Sequence, residues 1–263
     1  MKNRFLLIAG GGKFGKKAIK FAKKNNYNAV IIDNNPNCLA SKYISKRFKD
    51  LPELIEYYNQ HQKKEILFLE SDISIINKIL KEIKFFWFIP VVPIHLTALI
   101  VKNFLISRNI QIDSDNITCK AYSEKIKPDL LLTSPIKDGI LYLSYAKEDE
   151  ECPEDCSGPP NYCPTFKRVK PITITEYLKK IFDISENFNL LRNKKKLIIL
   201  IHSYQLMPGL GGLKGENIYS IYNLLRENLS FLKNSQFSLI VATSCNCHGV
   251  INFYKSGDQR FLK

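Results

Sequence analysis

Five of the seven cysteines in the chain lie in two short runs. The first is Cys152-Pro-Glu-Asp-Cys156-Ser-Gly-Pro-Pro-Asn-Tyr-Cys163-Pro164, and the second is Ser244-Cys245-Asn246-Cys247-His248-Gly249. Their spacings are C-x3-C-x6-C-P and C-x-C-H. Thiolates are soft ligands suited to iron–sulfur clusters, zinc or copper(I). Zinc sites are commonly built on C-x2-C knuckles, and neither run contains one. A run that ends in Cys-Pro is closer to cluster ligation, so the leading reading is an iron–sulfur centre of the 4Fe-4S kind. Zinc is the alternative, and a redox-active thiol pair is a third. Cys152, Cys156, Cys163 and Cys247 are the expected ligands, with Cys245 able to replace any of them. The fifth thiol is then spare, or serves as a redox or sulfur-carrying group. His248 is a further donor, although a histidine there more often caps the backbone. The acidic run Glu148–Asp155 works against an anionic cluster unless its side chains face solvent. Cys38 and Cys119 stand alone and read as core or surface residues.

A second constellation stands near the N-terminus. Gly10-Gly11-Gly12-Lys13-Phe14-Gly15 satisfies G-x-G-x-x-G. The apolar run 4–9 before it reads as a buried strand. Residues 13–24 after it read as a helix, with Phe14, Ala18, Phe21 and Ala22 on its apolar stripe. Residues 28–32 form a second buried strand that ends at Asp33. In this setting the first glycine permits the tight turn, the second lets a pyrophosphate approach the backbone, and the third lets helix and strand pack closely. The phosphates would meet N–H groups at the helix N-terminus. An acid at Asp33 can bond both ribose hydroxyls, which favours NAD over NADP. Gly10, Gly11, Gly12, Lys13, Phe14, Gly15 and Asp33 are therefore the expected cofactor-binding residues. The plainer alternative is a tight turn in an α/β fold that holds no ligand.

The elements that position these groups follow from periodicity. Helices are expected over 50–60, 73–83, 96–106, 176–182 and 216–232. Strands are expected over 65–69, 85–92, 197–203 and 238–243, with 250–254 continuing the sheet. A hairpin is expected over 130–133 and 140–145, joined through Pro135 and Asp138-Gly139. Alternating strands and helices imply a Rossmann-like, doubly wound, mainly parallel sheet over residues 1–110. A smaller α/β or α+β part with a cysteine-rich metal loop would follow over 111–263. Ligands of such sheets lie beyond the carboxyl ends of the strands, where Glu70, Asp72 and His95 fall. His95 is the acid/base candidate, because imidazole titrates near neutrality; a cap of the following helix is the competing role. Asp72 reads as an N-cap. The stretch Gln205–Gly215 reads as a glycine-rich connection, a lid or an anion cradle, without the Gly-Lys-Ser/Thr of a phosphate loop.

The residues Leu7-Ile-Ala-Gly-Gly-Gly-Lys-Phe-Gly15, together with Val30-Ile-Ile-Asp33, resemble the NAD-binding domain of the TrkA-N type. The resemblance covers residues 1–110. It implies a Rossmann domain that binds NAD(H) or another adenine nucleotide, in a family that regulates potassium channels and transporters. It does not extend to the cysteine runs.

Composition bounds the remaining options. The chain has 263 residues, of which 45% are hydrophobic and 24% charged, which is ample for a packed core. The net charge is +14, but lysine carries most of it and is dispersed. Specific nucleic-acid recognition favours clustered arginine, so nucleic acid is not an expected partner. The uncharged stretch 85–101 contains Pro90, Pro93 and His95 and reads as strand, turn and helix rather than as a membrane span. No signal-peptide pattern precedes Gly10, so a cytoplasmic protein is expected, where clustered cysteines serve metals or redox chemistry more often than disulfides. The reading that joins both constellations is an NAD(H)-binding protein with a cysteine-ligated iron–sulfur cluster, acting as a redox enzyme or electron-transfer component. One alternative is a TrkA-like nucleotide- and redox-sensing regulator; the other is a zinc-stabilised binding protein with a basic surface. Expected partners are a small-molecule substrate or a redox partner protein, with a homodimer as the open oligomeric alternative.

Overall fold

The computed structural model describes residues 4–60, 64–185, 188–191 and 195–257. The chain begins with β1 (Phe5–Ala9), α1 (Lys13–Lys24), β2 (Asn28–Asp33), β3 (Lys46–Phe48), α2 (Leu51–Gln60), β4 (Ile66–Glu70), α3 (Ile76–Glu82), β5 (Phe85–Pro90) and α4 (Leu96–Ile106). It continues through β6 (Ile112–Ser114), α5 (Asn116–Ser123), β7 (Leu131–Thr133), β8 (Ile140–Ser144), β9 (Tyr162–Cys163), β10 (Arg168–Val169) and α6 (Ile174–Phe182). Then come β11 (Phe188–Leu191), β12 (Lys196–His202), β13 (Tyr204–Met207), β14 (Leu210–Lys214), α7 (Gly215–Glu227), α8 (Leu229–Asn234), β15 (Ser238–Ser244) and β16 (His248–Ser256). The single helix expected over 216–232 is thus two, broken at Asn228, whose side chain turns back to donate to Leu224 O. Two compact units result: Met1–Leu96 with Tyr204–Ile218, and Thr97–Ser203 with Tyr219–Lys263. The division falls after Leu96 rather than after residue 110. The second unit is the larger of the two, whereas a smaller part was expected to follow the first domain.

In the first unit β5, β1, β2, β4 and β3 lie side by side and parallel. Parallel strands are buried on both faces and so read as continuous apolar runs. β1 shows this directly: Leu6, Leu7, Ile8 and Ala9 are all fully buried. The stretch Gln205–Gly215 is neither lid nor cradle. It forms the antiparallel hairpin β13–β14, and β14 extends the sheet antiparallel to β5. Its turn is Pro208-Gly209, with Gly209 at φ +67°. Proline presets the first turn position and glycine supplies the positive φ of the second, as a type II turn requires. On α1 the buried stripe is Gly15, Ala18, Ile19 and Ala22. Phe14, expected on that stripe, is 39% exposed and lies outside the buried set.

The second unit has a mixed sheet in the order β11-β12-β15-β16-β8-β7, with β6 also paired to β16. β12 and β15 are parallel; the other pairs are antiparallel. The expected hairpin is β7–β8. Ile198, Leu200, Ile240, Ala242, Ile251 and Phe253 form the core beneath α5 and α6, with Cys119 and Leu178 among them. The protein is therefore a mixed α/β protein with parallel and antiparallel sheets. Among the described residues no helix is long and apolar enough to cross a membrane.

Cys119 yields a stability prediction. Its thiol is fully buried and donates to Ile140 O. Burial, then the charge of Asp115, pushes its pKa up to about 11 from an ordinary 9.0. A pKa raised by folding stabilises the native state below the unfolded value, and that contribution disappears as pH rises toward the folded value. Wild-type protein is expected to lose about 2 kcal/mol more than Cys119→Ala between pH 9 and 11. Urea midpoints of both proteins across that range measure the difference, and parallel curves would refute it.

Candidate functional sites

The glycine turn is assembled from close backbone approaches. Gly10 has φ +107°, and a Cβ there would lie 2.8 Å from Val91 O. A Cβ on Gly15 would collide with Gly10 O. Both glycines are therefore required by packing. Gly12 differs: a Cβ there would meet nothing within 4 Å. It is exposed and caps α1 without a side-chain hydrogen bond, and no acidic residue occupies the first turn. Helix geometry leaves the first N–H groups without intrahelical acceptors, and the dipole makes this end positive. Lys13 and Phe14 are exposed beside it.

Asp33, at the end of β2, has a role that spacing did not reveal. Its Oδ2 accepts from Gly11 N at 2.5 Å, and its Oδ1 accepts from Asn35 N at 2.7 Å. It ties the glycine turn to the β2 end. Cys38 is buried against the turn: a Cβ on Gly11 would collide with its Sγ. His95 is half-buried and immediately precedes α4, in the N-cap position. Glu70 ends β4, and Asp72 Oδ1 accepts from Ser74 N at 2.8 Å, as an N-cap does.

The two cysteine runs meet in the second unit. Cys152 and Cys156 lie on the connection from β8, and Cys163 on β9, paired with Arg168 of β10. Cys245 and Cys247 form the tight turn between β15 and β16, closed by Cys245 N donating to His248 O at 2.8 Å. Three neighbours pin that turn: Cys247 O accepts from Tyr145 N, Asn246 O from Ile174 N, and Cys245 O from Thr175 Oγ1. The first run is tied to it by Asn246 Nδ2 donating to Gly158 O at 2.9 Å. Lys170 Nζ donates both to Pro159 O and to Cys247 Sγ, the latter at 2.9 Å.

Hydrogen-bond donors surround the sulfurs. Cys245 Sγ accepts from Cys247 N and His248 N, each at 3.4 Å. Cys156 Sγ accepts from Gly158 N at 3.3 Å. His248 Nε2 is 3.6 Å from Cys152 Sγ, and its Nδ1 is 3.9 Å from Cys245 Sγ. Cys152 is an exposed residue, yet partial burial of its sulfur, then the charges of Cys156, Cys163, Cys247 and Cys245, push its pKa up to about 11. Burial raises the Cys247 thiol, and Lys170 pulls the other way. His248 has an exposed edge, but desolvation of its ring among the sulfurs, then the Lys170 charge, lowers its pKa and keeps the imidazole neutral. The acidic run is paired or exposed. Glu150 is held bidentately by Arg168 at 2.8 and 2.9 Å, while Glu148, Asp149, Glu151, Glu154 and Asp155 are exposed. Among the described residues no group of three or more His, Cys, Asp or Glu side chains is placed so that it could hold a metal ion. The other two cysteines, Cys38 and Cys119, are buried elsewhere.

Sequence reasoning missed Lys170 and a hydroxyl–imidazole chain at the carboxyl ends of β12 and β15. His202 and Ser244 are register partners there. Thr175 Oγ1 lies 2.8 Å from His202 Nδ1 and 3.0 Å from Ser244 Oγ. The signal available was position alone: a histidine and a serine that end adjacent parallel strands.

Fold and sites together define a two-unit α/β protein with an open glycine turn in one unit and a gathered thiol cluster in the other. Residues 97–257 match the domain family described as "Uncharacterized protein, C-terminal domain", and residues 6–96 match its N-terminal counterpart. The chain belongs to this family. It is similar to an "Uncharacterized protein" of Archaeoglobus fulgidus, 29% identical over 250 residues, covering 95% of this chain and 98% of the relative. No solved structure matches it.

Proposed function

We propose that the chain is a nucleotide-binding redox protein. In this reading its first unit is a Rossmann-like domain of the TrkA-N kind that binds NAD(H) or another adenine nucleotide, and its second carries an iron–sulfur cluster on cysteine thiolates. The observation that carries the reading is the meeting of the two cysteine runs, with three backbone N–H groups and one ammonium directed at their sulfurs. Hydrogen bonds to sulfur and burial are the means by which a protein tunes a cluster. In support, the side chains are soft donors, most of the neighbouring acids are exposed, and backbone bonds hold the β15–β16 turn, although among the described residues no three donors are placed to hold a metal ion. Cys156, Cys245 and Cys247 have donors directed at their sulfurs and Cys163 is buried, whereas Cys152 is exposed, so the first four are the ligands favoured here. A bound cluster would supply one-electron transfer or Lewis acidity; the residues hold, bury and hydrogen-bond it. In the first unit the open space at Gly12, the cation-rich apex and the parallel strand order support a phosphate-bearing ligand.

Zinc remains the second reading, because a neutral His248 beside Cys152 and Cys245 is a fitting fourth donor for a tetrahedral ion. Metal and sulfide analysis of anaerobically purified full-length protein separates the two. About four irons and four sulfides per chain are expected, with broad absorbance near 400 nm. About one zinc without colour would replace the cluster by the ion, and absence of both metals would end both readings. In the same preparation, NADH or ADP at about 100 times its Kd should raise stability by about 2.7 kcal/mol.

A further inference from the structure

Five aromatic rings follow one another across the first unit. Between centroids, Phe21 lies 5.9 Å from Tyr27, Tyr27 6.0 Å from Phe86, Phe86 5.7 Å from Trp87, and Trp87 5.9 Å from Tyr204. Two cations stand over the row. Arg4 Cζ is 4.5 Å from the Phe86 centroid, and Lys214 Nζ is 4.8 Å from that of Tyr204. Arg4 precedes β1, Tyr27 precedes β2, and Phe86 and Trp87 lie near the start of β5, so the row crosses the amino ends of these parallel strands. The glycine turn lies at their carboxyl ends. Core packing accounts for Phe21, Tyr27 and Trp87, which are half-buried against the cluster beneath. It does not account for Phe86, which is 39% exposed. Successive residues of a strand point to opposite faces, so the rings of Phe86 and Trp87 should stand apart. The register explains their approach: Phe5 pairs with Phe85 and Leu6 with Trp87, which leaves Phe86 as an extra residue in β5. An insertion of this kind bends a strand and re-aims its side chain.

We propose that this face binds single-stranded nucleic acid, its bases stacked on the exposed rings and its phosphates met by Arg4 and Lys214. Every base has a π face, so stacking on aromatic side chains tolerates any sequence, and cations beside the rings track the backbone. Charge favours this occupant over a neutral apolar partner. Among the described ion pairs Arg4 has no carboxylate, and Lys214 meets Glu216 at 3.3 Å in an exposed pair of little strength. Lys20, Lys24 and Lys84 stand exposed close in the chain to these rings, and the chain carries a net charge of +14. Along the sequence these cations are dispersed, which is why nucleic acid was not expected; the fold sets two of them over aromatic rings. The face uses no residue of the thiol cluster or of the glycine turn.

Trp87 is the single tryptophan of the chain, so its emission reports on this face alone. Full-length protein is titrated with oligo(dT) and oligo(U) of about 12 nucleotides, a length within the site sizes of such surfaces. Anisotropy of a labelled oligonucleotide measures binding, and Trp87 emission locates it; the two probes separate DNA from RNA as the source. Saturable binding with a Kd of about 1–100 μM at physiological salt is expected, with Trp87 emission falling over the same range. With two phosphate contacts, log affinity should fall against log salt with a slope of about −1.4, and Arg4→Gln should reduce that slope by about 0.7. Phe86→Ala should weaken binding about 5–100-fold, the loss of one stacking ring, and Phe86→Leu, which keeps apolar bulk without the ring, should show the same loss. Both side chains are exposed, so the variants should melt as the wild type does. Excess NADH or ADP should not displace the oligonucleotide. Absence of saturable binding overturns the proposal. So does binding that leaves Trp87 emission unchanged, that survives both Phe86 variants undiminished, or that NADH or ADP displaces, because the oligonucleotide then sits elsewhere. A Trp87 change with phosphatidylserine vesicles but not with oligonucleotide overturns it too and makes the face a lipid contact.

Discussion

If the proposed metal centre forms, Cys245→Ser protein is expected to lose the metal, while Cys152→Ser keeps most of it. Cys245 sits at the mouth of the β15–β16 turn, where its sulfur already accepts from two backbone N–H groups and is held in place by them. A hydroxyl in its place is a hard, weakly acidic donor that cannot replace a thiolate on iron or zinc. The affinity loss should exceed about 100-fold, since removal of an outer-shell partner alone costs up to that much. Cys152 is exposed, has no backbone N–H on its sulfur among the described bonds, and has a pKa raised to about 11. Metal content per chain after anaerobic purification reads both variants. If Cys152→Ser lost the metal and Cys245→Ser kept it, the ligand assignment would be wrong even if a centre exists.

The second large effect concerns Gly12. A serine there has open space for its Cβ and suits the N-cap, so the fold should keep its stability within a few tenths of a kcal/mol or gain slightly. Its hydroxyl, however, would bond the same helix N–H groups that a phosphate needs and would fill the approach. The stabilisation by NADH or ADP, about 2.7 kcal/mol at 100 times Kd in the wild type, should vanish in Gly12→Ser. Gly15→Ala is the contrasting variant. Its Cβ meets Gly10 O, a backbone atom that cannot move aside, so the fold itself should lose about 1–3 kcal/mol. Thermal melts with and without nucleotide distinguish the two variants. A Gly12→Ser protein still stabilised by nucleotide would move the ligand, if any, away from this turn.

Short-range order explains which features could be read from the chain by itself. The run Gly10–Gly15 lies between an apolar strand and a helix, and its packing needs are local, so spacing was enough to mark the turn. Asp72 as a cap and the β7–β8 hairpin through Asp138-Gly139 are local in the same way. The strands β1, β2 and β4 announced themselves because burial on both faces leaves an unbroken apolar run. Phe14 shows the limit of periodicity: it follows the apolar spacing, yet the ring stands exposed, because periodicity does not say how much of a helix face is covered. The Gln205–Gly215 hairpin was misread because its partner, β5, lies far back in the chain; Pro208-Gly209 was the turn signal to weigh.

The cysteine runs occupy the middle ground. Their residue types limited the chemistry to thiolate ligation or redox work before any fold was known. Their meeting needed the β15–β16 turn, the α6 N-terminus and the Tyr145–Cys247 pairing, all contacts between distant parts of the chain. The disposal of the acidic run likewise depended on Arg168 reaching Glu150. Lys170 is the clearest case. In a chain with a net charge of +14 one more lysine carries no signal, and only its burial against Cys247 distinguishes it from the others. Residue type and local spacing are written along the chain, whereas burial and charge pairing between distant segments exist only once the sheet has brought them together.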